Sequence, residues 1–295
     1  MRKIDYFIVD VFAENKYSGN QLAVFLCGNK LTAAEMQTIA KEINFSESTF
    51  IISEGPQKAA YDVRIFTPEH EVPFAGHPTL GTAHIIRNHI ADGAPEKIDL
   101  NFEVGHIPVT LSHTGENTVY WMKQVEPVFR EVLPVEKLSP VLGLPEEDFD
   151  DRFPIEEVTT GLHHIIVPLK NLNALKKAKA DKEKYFELIN NTWAKNIMIF
   201  SPEPHLTQND ISVRMFAYYL GIPEDPATGS GNGCLAGYLL KHRYYGSSKL
   251  DLKSEQGYEI GRPSLLYLRA EDINGKIDVY VGGSAVTVAR GEWYI

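Results

Sequence analysis

The strongest constraint on this chain is that part of it is written twice. Val63-Arg64-Ile65-Phe66 recurs 150 residues later as Val213-Arg214-Met215-Phe216. Glu71-Val72-Pro73-Phe74-Ala75-Gly76-His77 then lines up with Glu224-Asp225-Pro226-Ala227-Thr228-Gly229-Ser230 at a spacing of 153, so the second copy carries a loop three residues longer. Beyond each loop an apolar stretch, Ala83 to Ile86 and Leu235 to Leu240, reads as helix, with Ala83 matching Ala236. Gly19 to Phe25 and Gly161 to Val167 form a weaker echo, a glycine before a β-like run in each half. A repeated strand, Pro/Gly loop and helix restrict the chain to two similar halves. Its 295 residues suffice for two domains with a core each.

Periodicity fills in the elements. Tyr6 to Phe12 and Gln21 to Leu26 read as strands around a Ser18-Gly19-Asn20 turn, and Thr32 to Ile43 as a helix capped by Thr32 with Glu35 three residues on. Phe45 to Ile52, Tyr61 to Phe66 and Val119 to Met122 read as further strands, and Thr79 to Asn88 as a helix. Strands with isolated helices give an α+β class. Pro127, Pro134, Pro140 and Pro145 punctuate the passage between halves, which puts the boundary near residue 120.

Charge and hydropathy remove several function classes. A formal charge of -10 with no Lys/Arg-rich run argues against nucleic acid and anionic membrane as partners. No apolar run approaches the ~18 to 20 residues of a bilayer span, and Met1 to Tyr6 lacks the apolar region of a signal peptide, so a cytoplasmic protein is expected. Cys27 and Cys234 show neither disulfide nor zinc-ligand spacing, and buried thiols are expected for both.

Four constellations bear on chemistry. Both repeated loops deliver a glycine and a polar or imidazole residue, Gly76-His77 and Gly229-Ser230, to a helix start whose unpaired N–H groups favour an anion. In a pseudo-symmetric protein such loops are expected to meet across an interdomain cleft and hold a carboxylate. Gly231, Gly233 and Gly237 suggest a dinucleotide fingerprint, but Gly221 to Pro226 would break the strand that must precede it. His70, His77 and His84 recur every seven residues, yet Pro73 and Pro78 are expected to interrupt any helix there, leaving no metal triad, while His163 and His164 read as structural histidines on opposite faces of a strand. Glu47, among small hydroxyl residues in an otherwise apolar strand, is a candidate acid/base group.

Asn44 to Phe50, Arg64-Ile65-Phe66-Thr67-Pro68, Pro73 to Gly81 and Glu224 to Ser230 closely resemble the phenazine-biosynthesis isomerase-like (PhzF-like) family, as do Asp10-Val11-Phe12, Gly19-Asn20 and Gly282 to Val286 near the ends. The resemblance covers the chain. It implies the diaminopimelate-epimerase-like fold: two domains, 1–120 and 121–283, each a curled mixed sheet around a central helix, the first completed by a returning strand at 284–295. It further implies a cofactor-free homodimeric isomerase that binds no metal. Glu47 matches the acid/base residue; His77, Asp225 and Ser230 match the polar residues that hold and polarise substrate; and Gly76, Gly229, Ser46 and Gly231 belong to the substrate-binding segments. In related racemases two cysteines face one another, and the matching positions are Ala75 and Thr228, so a two-base racemase is disfavoured. The expected reaction is a trans-2,3-dihydro-3-hydroxyanthranilate isomerase-like proton shift within a small unsaturated or cyclic carboxylate. A non-catalytic carboxylate-binding protein is the alternative.

Overall fold

The computed structural model describes residues 2–52, 60–115 and 117–295. The chain divides into two compact units, Met1–Met122 with Gly282–Ile295, and Lys123–Val281.

In the first unit β1 (Lys3–Val11) runs antiparallel between the C-terminal strand Ala285–Tyr294 and β2 (Asn20–Leu26). The order continues through β3 (Glu47–Ile51), parallel to β2, and β4 (Tyr61–Phe66), antiparallel to β3 and bordered by the two-residue β5 (Glu71–Val72). Next come β6 (Lys97–Phe102), parallel to β4, and the antiparallel β7 (Gly105–Thr114) and β8 (Asn117–Lys123). Between β2 and β3, α1 (Ala33–Ile43) begins with a complete capping box between Thr32 and Glu35 and ends at Asn44, whose φ of 56° is left-handed. Its Met36, Ile39 and Ala40 join Phe25, Phe50 and Phe66 in one core.

The central helix α2 (Gly76–Ile85) buries eight of its ten residues and presents no separate polar face, as an element enclosed by a sheet does. It packs against β1, β2, β3, β6, β7 and the C-terminal strand. A Cβ on Gly81 would stand 2.6 Å from Leu22 and 2.7 Å from Val11, so glycine is what allows this helix so close to the sheet. The helix starts three residues before the position read from sequence. Pro78 falls in its first turn, where the missing N–H would have had no partner. His77 and His84 therefore share one helix, contrary to expectation, although among the described residues no group of His, Cys, Asp or Glu could hold a metal ion.

The second unit repeats this order. Strand β9 (Val128–Leu133) borders β10 (Ile155–Thr159), which is antiparallel to β11 (His163–Pro168). β11 is parallel to β12 (Asn196–Ser201), β12 antiparallel to β13 (Ile211–Ala217), and β13 parallel to β15 (Lys249–Gln256). β15 pairs antiparallel with β16 (Ser264–Ile273), and β17 (Lys276–Gly283) follows. The short β14 (Ile222–Asp225) borders β13 as β5 borders β4. The run Gly221 to Pro226 was expected to break any strand; Ile222–Asp225 is nevertheless a short one, and Pro223 is accommodated because β13 and β14 pair only at Ala217–Ile222 and Met215–Asp225, with a register shift between them. Helices α3 (Val135–Leu142), α4 (Leu172–Lys177) and α5 (Lys182–Ile189) cover the outside. The almost wholly buried α6 (Gly229–Lys241) packs against β10, β11, β15 and β16.

The duplication extends to side chains. Arg64 forks onto Glu71 and lies 5.1 Å over Phe66; Arg214 forks onto Glu224 and lies 5.1 Å over Phe216. The mixed-sheet α+β class expected from sequence is the class observed.

Candidate active site

Two clusters of polar residues sit at the starts of the two central helices. In the first unit Asn44 closes α1, and three residues later Glu47 opens β3 opposite Leu22. Strand alternation sends Thr49 toward α2, where Thr82 Oγ1 donates to it at 2.9 Å. Glu47 stands on the same side, its side chain 20% exposed and its Oε2 3.6 Å from His77 Nε2. Ser46 precedes it, half-buried.

His77 is nearly enclosed, 7% exposed, and its Nε2 lies 3.3 Å from the Gln21 carbonyl. Burial pushes its pKa down to about 3, the Gln21 carbonyl pulling weakly the other way. The imidazole is therefore neutral at neutral pH, its Nε2–H donating to Gln21 O, and its contact with Glu47 is not an ion pair. No side chain caps α2. The amides of Ala75, Gly76 and His77 have no partner inside the helix, and they carry its positive pole.

In the second unit Thr228 stands immediately before α6, in the position Ala75 holds before α2 and likewise without a side-chain capping bond, and Gly229 and Ser230 follow as Gly76 and His77 do. The Thr228 hydroxyl donates to Asp225 Oδ2 and accepts from Gln256 Nε2 at 3.0 Å. Gln256 also donates to Asp225 O at 2.8 Å and accepts from the Thr228 amide at 3.1 Å and Asn232 Nδ2 at 3.0 Å. One buried amide side chain thus fixes the loop, the carboxylate and the helix start together. Ser230 remains partly exposed, and its carbonyl accepts from Thr160 Oγ1 at 3.3 Å. Gly231 is set by packing, since a Cβ there would stand 2.5 Å from Met198 Cε and 3.2 Å from the His164 ring.

Each cluster gathers its own expected residues: Ser46, Glu47, Gly76 and His77 in one, and Asp225, Gly229, Ser230 and Gly231 in the other. Gln256 was missed, because a lone glutamine ending Lys253-Ser254-Glu255-Gln256 carries no local signal. His164 departs from the expectation of a satisfied histidine: Nδ1 lies 3.1 Å from Leu162 O, but Nε2 is buried with no hydrogen-bond partner. Both thiols are buried, and burial raises that of Cys234 to about 12. Thr228 offers no replacement for a catalytic thiol, because its hydroxyl is already committed to Asp225.

The sequence matches the phenazine biosynthesis-like protein family over residues 9–291. It is 33% identical over 301 residues to the trans-2,3-dihydro-3-hydroxyanthranilate isomerase of Pseudomonas aeruginosa, covering 98% of this chain and 99% of that one. The crystal structure of a PhzF-family phenazine biosynthesis protein from Bacillus anthracis superposes with a TM-score of 0.91 at 28% identity, each chain fully covered. A probable proline racemase from Agrobacterium radiobacter shares the fold at a TM-score of 0.63 and 11% identity, covering 99% of this chain and 93% of that one. Among the described residues no helix is long and apolar enough to cross a membrane.

Proposed function

Because the chain belongs to the phenazine biosynthesis-like protein family and is an isomerase of that family, we propose that it moves one proton within a small unsaturated cyclic carboxylate, with Glu47 as the carrier. The observation that carries this reading is an asymmetry. One helix start has a carboxylate 3.6 Å from a neutral imidazole, whereas the other has Thr228, whose hydroxyl is bound to Asp225. A racemase needs proton carriers on both faces of the reacting carbon, and an allylic shift needs one.

In this reading both clusters contribute to binding one ligand. The amides of Gly76 and Gly229 hold its carboxylate, with Ser46 and Gly231 in the surrounding segments. Glu47 takes a proton from a saturated ring carbon, the released electron pair becomes a new double bond as the old one shifts, and Glu47 returns the proton to the far carbon. Atoms and oxidation state balance without a second reactant. Neutral His77 keeps its one N–H on the Gln21 carbonyl, so its Nδ1 is the nitrogen left to accept from a hydroxyl or amine of the ligand, which Asp225 and Ser230 help to orient. The substrate of the Pseudomonas aeruginosa relative, trans-2,3-dihydro-3-hydroxyanthranilate, fits this class and is the first compound to assay.

The test is turnover of that compound in D2O by the wild type and Glu47→Gln. The glutamine fills the same volume but carries no proton, so turnover should fall roughly 10²- to 10⁴-fold with binding retained. Part of the product should keep the substrate's own hydrogen, since one carboxyl can return what it removed. Turnover within a fewfold of wild type would refute the assignment.

A further inference from the structure

The internal repeat has a second reading, residue by residue. Glu47 lies opposite Leu22 across the parallel β2–β3 pair, and the next residue, Ser48, opposes Phe66 on β4. Asn196 lies opposite His164 across the parallel β11–β12 pair, and the next residue, Ile197, opposes Phe216 on β13. Phe66 and Phe216 are repeat mates, so Asn196 holds in the second unit the place that Glu47 holds in the first.

The neighbouring carbonyls correspond too, and they are used differently. In the first unit His77 Nε2 donates to Gln21 O, the carbonyl just before Leu22. In the second unit the counterpart of His77 is Ser230, and the carbonyl just before His164 accepts instead from Asn196 Nδ2 at 3.3 Å. That contact fixes the amide orientation, because the reverse would set two oxygens against each other. Oδ1 is left at the other end, buried and without a hydrogen-bond partner, on a residue only 4% exposed. A buried amide oxygen left unbonded is costly and uncommon. Asn196 stands on the same face of β12 as Met198, which touches the first turn of α6 at Gly231. A second unpartnered acceptor, His164 Nε2, lies under the same glycine: its ring donates through Nδ1 to Leu162 O.

We propose that Asn196 is a substrate-binding residue whose Oδ1 accepts a hydrogen bond from a hydroxyl or amine of the ligand held at the start of α6. The inference deepens the proposed function by naming what this part of the ligand must carry. The amides of α6 call for an acceptor, a carboxylate, while the unpartnered acceptors of Asn196 and His164 call for a donor beside it. A ring acid with an adjacent amine or hydroxyl satisfies both.

Calorimetric titration with three stable probes tests this: 3-hydroxyanthranilate, 3-hydroxybenzoate without the amine, and anthranilate without the hydroxyl. Asn196→Ala should weaken 3-hydroxyanthranilate roughly 10- to 100-fold, the span expected for losing a bond to a buried acceptor. It should leave unchanged whichever analogue lacks the donor that reaches Oδ1, and Asn196→Ser provides the same comparison if the alanine variant does not fold. An equal loss for all three probes, or no loss for any, overturns the inference. If it fails while Glu47→Gln still abolishes turnover, the inference fails alone. If the wild type binds none of the probes, the aromatic-type substrate class falls with it.

Discussion

His77 permits a quantitative check on the electrostatics of the first cluster. Its folded pKa is near 3, against about 6.5 for an exposed histidine, because protonation would bury a charge. The unfolded chain therefore binds a proton that the folded chain refuses. Stability is fully present above pH 6.5 and is lost as pH falls from there toward 3, at about 1.4 kcal/mol per unit for one group. Between pH 7.5 and 5.0 about 1.5 units of this window are crossed, so His77 alone removes about 2 kcal/mol. His84 and His164, each lowered to about 4 by burial, act with the same sign over the same range. His77→Gln keeps an N–H able to reach Gln21 O and removes the titration. Urea unfolding of wild type and variant at the two pH values should show the wild type losing about 2 kcal/mol more on acidification, out of total stabilities of roughly 5–15 kcal/mol. NMR should find the His77 ring untitrated down to pH 4. Equal acid losses in the two proteins, or an imidazole that titrates near 6.5, would refute the claim that His77 is held neutral.

Two further outcomes follow from packing and pairing. Gly81→Ala should destabilise the first unit by roughly 1–3 kcal/mol despite alanine's higher helix propensity, because its Cβ would meet Leu22 and Val11 inside 3 Å; an unchanged urea midpoint would contradict the close approach of α2. The duplicated arginines should respond unequally: Arg214, 8% exposed and also donating to Leu175 O and Ala178 O, should cost about 3–5 kcal/mol as Arg214→Met, whereas Arg64, 30% exposed, should cost about 1 kcal/mol as Arg64→Met, and equal unfolding free energies would refute the ranking.

What could be read from sequence was what local chemistry writes locally. The Thr32/Glu35 capping box announced α1, and the Val-Arg-x-Phe repeat announced β4 and β13, because an arginine laid over a phenylalanine of its own strand needs the two residues two apart on one face in both copies. The start of α2 was misplaced because Pro78 was read as a breaker, although a proline in the first helical turn breaks no bond. His77, Asp225 and Ser230 drew notice because they lie in the repeated loops, and Glu47 because it is a carboxylate in an otherwise apolar strand within a stretch that carries the family resemblance. Gln256 and Asn196 were not, since each acquires its role from strand register, β15 beside β13 and β12 beside β11, among partners distant in sequence. Even the repeat hides Asn196: its loops differ by one residue from those around Glu47, so the two fall out of step with the spacing that aligns Phe66 with Phe216. A duplicated fold therefore places two equivalent sets of side chains at two equivalent helix starts, and chemistry enters where the sets disagree. Glutamate stands against asparagine, histidine against serine, and an alanine without a donor against a threonine whose donor is occupied. Asparagine in place of glutamate leaves the second set a group that can bind but cannot carry a proton, which is the division that the proposed one-carrier isomerisation needs and a two-carrier racemisation does not.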